Sequence, residues 1–213
     1  MNFLEIIKNY NKNIRFFHAS SSEIFKTSNK LLNEDSQIYP TNPYGVAKSA
    51  AHFLVSAYRN NYKLFAVNGI FFNHDSPYRK KNFLLKYLIS HSLKVKNKKK
   101  NKISLSDPRP VRDFGFAGDF MEAAYKILSY KKPQDFIIAT GYSISVKNLT
   151  QRVAEKINIS PSKISYRMDG KNYVNPIKRA SIKKISKYTL WKPKVSLEKL
   201  IMMMIKAENN IKN

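Results

Sequence analysis

Tyr44 and Lys48 stand four residues apart at the start of a helical pattern, and helix positions i and i+4 share one face about one turn apart. Both can therefore point at one ligand. An ammonium beside a phenol lowers the phenol's pKa, which lets it act as base or acid near neutral pH. Upstream, three hydroxyls (Ser20, Ser21, Ser22) and an acid, Glu23, follow an apolar run, Ile14 to Ala19, that reads as a buried strand. In an α/β sheet ligands bind beyond the carboxyl ends of the strands, so Ser21 and Glu23 are expected where chemistry happens. Tyr-x-x-x-Lys alone is a weak signal, because a solvated helix face gives the same spacing.

The elements that must position these groups follow from the apolar pattern. Residues 3–10 carry apolar side chains at helical spacing, and the strand over Ile14–Ala19 comes next. Residues 26–42 are a polar loop. Pro43 suits the first turn of a helix, and the helix from Tyr44 to Tyr62 is expected to turn Val46, Ala50, Phe53, Leu54 and Ala57 to the core, with Lys48 off that stripe. Residues 64–72, LFAVNGIFF, read as a strand buried on both faces, as in a parallel sheet, with Asn73 to Pro77 as the loop at its carboxyl end.

Further on, a helix is expected over Leu84–Leu93 and a solvated lysine loop over 94–102. A short strand begins at Ile103, a helix near Asp119, a strand spans Asp135–Thr140, and Ser145 caps another helix. Phe114, Phe116, Phe120, Ala123 and Ala124 are candidate core. A last helix covers residues 195–212, with its methionines packed in the core.

At 213 residues with 43% hydrophobic composition the chain can bury a sizeable core. No apolar run approaches the ~20 residues of a membrane helix, and MNFLEIIKNYNKN, with its acid and helical period, does not read as a signal peptide. The absence of cysteine excludes disulfides, thiol nucleophiles and cysteine-ligated metal, and the expected compartment is the cytoplasm. The net charge of +25 fits either a nucleic-acid or acidic-membrane partner or a lysine-rich decoration of every exposed face. Lysines spread along the whole chain favour the second reading, and no aromatic residues interleave the run at 94–102 for base stacking. Neither nucleic acid nor membrane is expected as a partner.

The motifs together resemble the extended short-chain dehydrogenases/reductases acting on nucleotide sugars, and most closely the GDP-mannose 4,6-dehydratase family. Its A-S-T-S-E-x-Y-G is answered by ASSSEIF, P-Y-A-V-A-K by PYGVAK (Pro43 to Lys48), and F-N-H-E-S-P-R-R by FNHDSPYR. Its R-D-W-G-H-A-x-D-Y is answered from Arg112-Asp113 onward, D-Y-V-I-A-T-G by DFIIATG, and L-G-W-x-P by Leu190-Trp191-Lys192-Pro193, with leucine where glycine belongs. Phe25-Lys26 replaces Tyr-Gly, Tyr87 replaces a lysine, and F-R-P-A-E-V is matched only by Val174-Asn175-Pro176, which moves a nucleotide-binding arginine to Asn175 or Arg179.

The resemblance implies an N-terminally truncated, doubly wound parallel α/β fold of the Rossmann type with a small C-terminal α/β lobe. Approximately residues 14–75 and 103–145 would supply the sheet core, and 76–102 and 146–213 the substrate-binding lobe. The implied reaction is internal oxidation, elimination of water and reduction with NADP. In it Tyr44 takes the 4-hydroxyl proton, Lys48 lowers the phenol's pKa and holds the nicotinamide ribose, Ser21 bonds O4, and Glu23 removes the C5 proton. His74 and Arg79 would contact NADP; Asn73 and Arg112 would lie by the sugar-nucleotide diphosphate. Read without the resemblance, His74 is more readily a loop or capping histidine, and Arg112 is equally the partner of Asp119.

The chain has six glycines, none arranged as the family's G-x-x-G-x-x-G phosphate cradle, so it reads as the C-terminal portion of such a protein, working as a homo-oligomer or with a separately encoded N-terminal half. The rivals are another nucleotide-sugar epimerase, reductase or decarboxylase, and a non-catalytic interaction subunit.

Overall fold

Six successive buried residues, Ala66–Phe71, form the central strand of a parallel sheet, flanked on one side by Phe16–Ser21 and on the other by Phe136–Ile138. A strand covered on both faces has no polar alternation to show, and this one has none. The computed structural model describes residues 1–167 and 177–210. In chain order its first half runs α1 (Asn2–Tyr10), β1 (Phe16–Ser21), β2 (Leu31–Leu32), α2 (Pro43–Tyr62), β3 (Ala66–Phe71), β4 (Asn73–Asp75), α3 (Leu84–Lys96) and β5 (Ile103–Leu105). The second half runs β6 (Val111–Phe116), α4 (Ala117–Ser129), β7 (Phe136–Ile138), β8 (Ser143–Ser145), α5 (Val146–Ile157), β9 (Ile164–Tyr166), β10 (Arg179–Ala180), α6 (Lys183–Thr189) and α7 (Leu197–Asn210). No helix among the described residues is long and apolar enough to cross a membrane.

The sheet β1-β3-β7 is wrapped on both faces. Val67 and Phe71 of β3 pack with Phe120, Ala123 and Ile127 of α4 and with Ile185 and Trp191, while Ala66 packs with Val55 and Tyr58 of α2 and with Leu4 and Ile7 of α1. A second cluster gathers α3, α5 and α7 around Ile103, Leu105, Phe114 and Ile144. Between the two lies the sheet β4-β6-β8, parallel from β4 to β6 and antiparallel from β6 to β8.

Several expectations shift. β1 starts two residues later than Ile14 and ends on Ser21, because its register pairs Phe16 with Ala66 and Ser21 with Phe71. Asn73–Asp75, read as loop, pairs instead with Phe114–Phe116 of β6, a strand the mixed VRDFGF pattern does not announce. α3 runs on to Lys96 because Val95 still faces the core, and Lys98, Lys99 and Lys102 beyond it are exposed. Leu190 caps α6 with φ 55°, the left-handed region that favours glycine and explains the family's glycine there.

The largest correction concerns α2. Val46, Phe53 and Leu54 are 55%, 56% and 38% exposed, and the face turned to the sheet is Gly45, Ser49, His52, Val55 and Tyr58. The sheet beneath carries Asn68 and, just before β7, Asp135, so the helix residues satisfied there are polar. Asn68 Nδ2 donates to the His52 carbonyl at 3.2 Å, and Arg59 grips Asp135 through Nη1–Oδ1 at 2.5 Å and Nη2–Oδ2 at 2.9 Å. A stripe of apolar residues marks the buried face only when the surface it meets is apolar.

Candidate active site

Where β1 and β3 end, a cleft of about 480 Å³ opens, lined among others by Ser21, Glu23, Tyr44, Lys48, Asn73, His74 and Arg79. Seven of the eight residues singled out from the sequence thus share one cavity, although they come from four separate segments. β1 delivers Ser21, whose Oγ accepts the N–H of Glu23 at 3.2 Å and caps a short 3-10 turn, Ser22–Ile24. That turn redirects the chain so that Glu23 faces the start of α2. Phe25, where the family pattern has tyrosine, is buried with Ile24, Leu32 and Ile70.

Asn42 joins the two segments. Its Oδ1 accepts the Gly45 N–H at 2.8 Å as the N-cap of α2, and its Nδ2 donates to Glu23 Oε2 at 3.0 Å. Pro43 occupies the first helical turn. At Gly45 an added Cβ would lie 2.5 Å from the Glu23 carbonyl oxygen, so the missing side chain lets the helix close on the turn. Tyr44 is 56% exposed in the cleft mouth. Lys48 Nζ donates to the Ala19 carbonyl at 2.8 Å and lies 5.8 Å from the Tyr44 ring centre.

His74 packs against the rings of both Phe71 and Phe120, 5.1 and 5.2 Å between centres. Its Nδ1 lies 2.9 Å from the Phe72 carbonyl oxygen, which can only accept, so Nδ1 carries the proton. Burial pushes its pKa down, against that hydrogen bond, and the ring is neutral at pH 7. Arg79 lies over Phe83, 3.5 Å to the ring centre, with Nε 3.3 Å from Asp75 Oδ1. Burial raises the Asp75 carboxyl to about 6, opposed by Arg79 and Lys86. Tyr87, at the family's lysine position, instead stacks on His91 and donates to the Ser104 carbonyl at 3.3 Å.

Arg112 is absent from the residues lining the cleft and acts on it through Glu23, with burial lowering its own pKa and the Glu23 carboxylate raising it. Asp119, its alternative partner on the sequence, uses Oδ2 to accept the N–H groups of Lys194 and Val195, each at 2.8 Å. Asn175 and its neighbours Val174 and Pro176 lie outside the described residues, and Arg179 is exposed in β10.

Two groups escaped the sequence reading. Lys178, 2% exposed, places Nζ 2.9 Å from Glu23 Oε1, and no spacing rule could connect residues so far apart in the chain. Asn42 could have been found, since an asparagine directly before a helix-starting proline is an N-cap signal.

Next to Arg112, Asp113 is fully buried, with Oδ1 accepting the Thr140 N–H at 2.9 Å. Burial raises its carboxyl to about 6, against nearby backbone amides. An acid whose folded pKa lies above its unfolded value of about 4 loses the folded state stability as pH rises through that interval, up to about 3 kcal/mol at pH 7. Asp113→Asn keeps the acceptor and removes the charge. It should therefore raise the thermal midpoint at pH 7.5 and leave it nearly unchanged at pH 4; a shift independent of pH would contradict this account.

Comparison with known proteins places the chain in a family. The family model described as GDP-mannose 4,6 dehydratase matches residues 1–204. The chain is 33% identical to GDP-mannose 4,6 dehydratase 1 of Arabidopsis thaliana, across 96% of this chain and 58% of that protein. It is 32% identical to GDP-mannose 4,6 dehydratase of Homo sapiens, across 92% of this chain and 58% of that protein. The chain thus spans little more than half the length of these relatives. In three dimensions it matches RMD from Pseudomonas aeruginosa complexed with NADPH at TM-score 0.88 and 19% identity, covering 99% of this chain and 71% of that one. The match to dTDP-glucose 4,6-dehydratase from Bacillus anthracis in complex with NAD has the same TM-score, 0.88, at 19% identity, covering 98% and 65%. At such identities the structural likeness speaks for the fold, a doubly wound α/β sheet of the Rossmann type.

Proposed function

The chain belongs to the GDP-mannose 4,6-dehydratase family, and from that premise we propose that it forms the catalytic and sugar-binding part of an enzyme converting GDP-mannose to GDP-4-keto-6-deoxy-mannose with NADP. The observation that carries this is the meeting of Glu23 with Tyr44 and Lys48 in one cleft at the carboxyl ends of parallel strands. Epimerases and reductases of nucleotide sugars have no use for such an acid. Decarboxylases share it, so the match of FNHDSPYR and the family membership favour GDP-mannose.

In this proposal Tyr44 accepts the proton of the sugar's 4-hydroxyl, and Lys48 supplies the positive charge beside the phenol. Ser21 bonds O4. Glu23 takes the C5 proton so that the C6 hydroxyl can leave as water. Asn73, in the cleft, serves the diphosphate, while Arg112, which does not line the cleft, reaches this chemistry through the charge it presents to Glu23. The chemistry NADP supplies when bound is hydride exchange at C4. Tyr44, Lys48, His74 and Arg79 fit its nicotinamide and ribose end, since all four line the cleft and all four carry donors.

The pyrophosphate needs a cradle, and this sequence holds no G-x-x-G-x-x-G turn. β1 is the edge of the parallel sheet, paired among the described residues with β3 alone, and we assign its open edge to a strand of the Gly-rich half. The exposed apolar face of α2 (Val46, Phe53, Leu54) we assign to a second copy of the chain. The test is calorimetry. The chain alone should bind NADPH weakly or undetectably, and a separately produced Gly-rich half should restore micromolar binding and GDP-mannose turnover. Micromolar binding by the chain alone would overturn the need for that half.

A further inference from the structure

Lys178 belongs to no motif and is almost entirely enclosed, its side chain 3% exposed, yet it carries an ammonium. Such a group is stable inside a protein only when paired and hydrogen-bonded. Its Nζ lies 2.9 Å from Glu23 Oε1 and 3.2 Å from the Ser22 carbonyl oxygen. Glu23 reaches the cleft, with a side chain 30% exposed, whereas Lys178 does not line it. The second oxygen, Oε2, is held by Asn42 Nδ2 at 3.0 Å.

We propose that Lys178 is the positioning residue of the candidate base, clamping Glu23 as a carboxylate with one oxygen on the buried ammonium and the other on the N-cap of α2. A carboxylate has about four lone-pair directions, and the clamp takes two, leaving the rest for a proton arriving from the cleft. Burial alone would raise the Glu23 carboxyl, but the hydrogen bond and charge of Lys178, then Asn42 and Arg112, hold it below its ordinary value. Burial lowers the Lys178 pKa, and Glu23 pulls it back up while Arg112 adds to the lowering. The charged groups facing Glu23 are thus Lys178 and Arg112, with Lys48 across the cleft.

The clamp has a chemical consequence that rests on the dehydratase reading. When Glu23 takes the C5 proton, the C5–H pair becomes the C5=C6 double bond and the C6–O bond breaks. Lys178 then faces a neutral acid, which disfavours that state and drives the proton on to the departing oxygen, giving water and restoring the carboxylate. Lys178 touches no substrate in this scheme; it sets how long Glu23 stays protonated.

The clamp can be tested without activity. With side-chain ¹³C-labelled glutamate, the Glu23 carboxyl resonance is the one lost in Glu23→Gln. In the native chain it should titrate below the ordinary carboxylate range. In Lys178→Met its midpoint should rise by about one pH unit or more, a tenfold weaker acid, and Lys178→Arg should restore the low value. An unchanged midpoint in a folded Lys178→Met overturns the proposal. Should that variant not fold, the Lys178 Nζ titration decides. It should fall in Glu23→Gln, and an unchanged value overturns the clamp. A confirmed clamp in a chain whose complete enzyme forms no 4-keto-6-deoxy sugar would sink the dehydratase reading alone.

Discussion

Tyr44→Phe should abolish oxidation at C4 and dehydration together, while Glu23→Gln should spare the oxidation and stop exchange of the C5 hydrogen with solvent. Both are to be measured on the chain assembled with a Gly-rich cofactor half. Removing the 4-hydroxyl proton needs a base, and Tyr44 is the phenol in the cleft, with Lys48 Nζ 5.8 Å from its ring centre. Nothing downstream proceeds without the 4-keto group, because only that ketone makes the C5 hydrogen acidic. Glu23 is a separate group on a separate segment, the turn after β1, so its loss leaves the first step intact. A positioned general base contributes about 10²–10⁴-fold, so each loss should be plain in rate measurements. Deuterium uptake at C5, read by mass spectrometry, separates the two variants. Full-rate exchange in Glu23→Gln would remove the elimination step from this site and leave an epimerase or reductase as the better assignment.

The candidate catalytic set was legible because its chemistry is local. Ser21–Glu23 and Tyr44–Lys48 each lie within one turn or one strand end, so short-range geometry fixes them and the parallel sheet brings the two pairs together. β3 was legible for a similar reason: burial on both faces leaves a continuous apolar run. The inward face of α2 was not, because helix periodicity assumes an apolar floor, and Asn68 and Asp135 make this floor polar. Nor was Lys178, whose meaning depends wholly on Glu23, more than 150 residues away in the chain (Lys178 Nζ to the Ser22 carbonyl spans 156 positions). Departures from the family pattern found local explanations where packing could absorb them. Phe25 is 1% exposed in a small core, whereas Leu190, 81% exposed, simply accepts a left-handed backbone.

Arg59→Met should cost about 3–5 kcal/mol of unfolding free energy, the range for removing one partner of a largely buried ion pair. Arg59 and Asp135 side chains are 15% and 16% exposed, and their two contacts at 2.5 and 2.9 Å are joined by the Asn68 backbone N–H and Nδ2, at 2.9 and 3.1 Å from Asp135 Oδ1. His52 lies 3.6 Å from the other oxygen and bonds Ser20 in the cleft wall at 3.1 Å through Nδ1, so the cluster ties α2 to the end of β1. Burial alone would raise the Asp135 carboxyl, but Arg59 and Asn68 hold it below its ordinary value. A carboxyl depressed in the folded state stabilises above its unfolded pKa, near 4, and loses that contribution as pH falls through the folded value. Burial lowers the pKa of His52 and of His18, so these two groups remove stability as pH drops below about 6.5, opposed over the same window by Asp75 and Asp113, whose raised carboxyls add it. Urea unfolding from pH 7.5 to 3 should show, in the native chain, opposed histidine and acid contributions above about pH 4 and a lower phase of loss below it. In Arg59→Met the lower one should shrink or reverse, since burial then dominates Asp135. Arg59→Met combined with Asp135→Leu should cost less than the sum of the single changes, because no unpaired charge remains. Additive losses would mean that the pair is not what holds α2 against the sheet, and the placement of Tyr44 and Lys48 would need another cause.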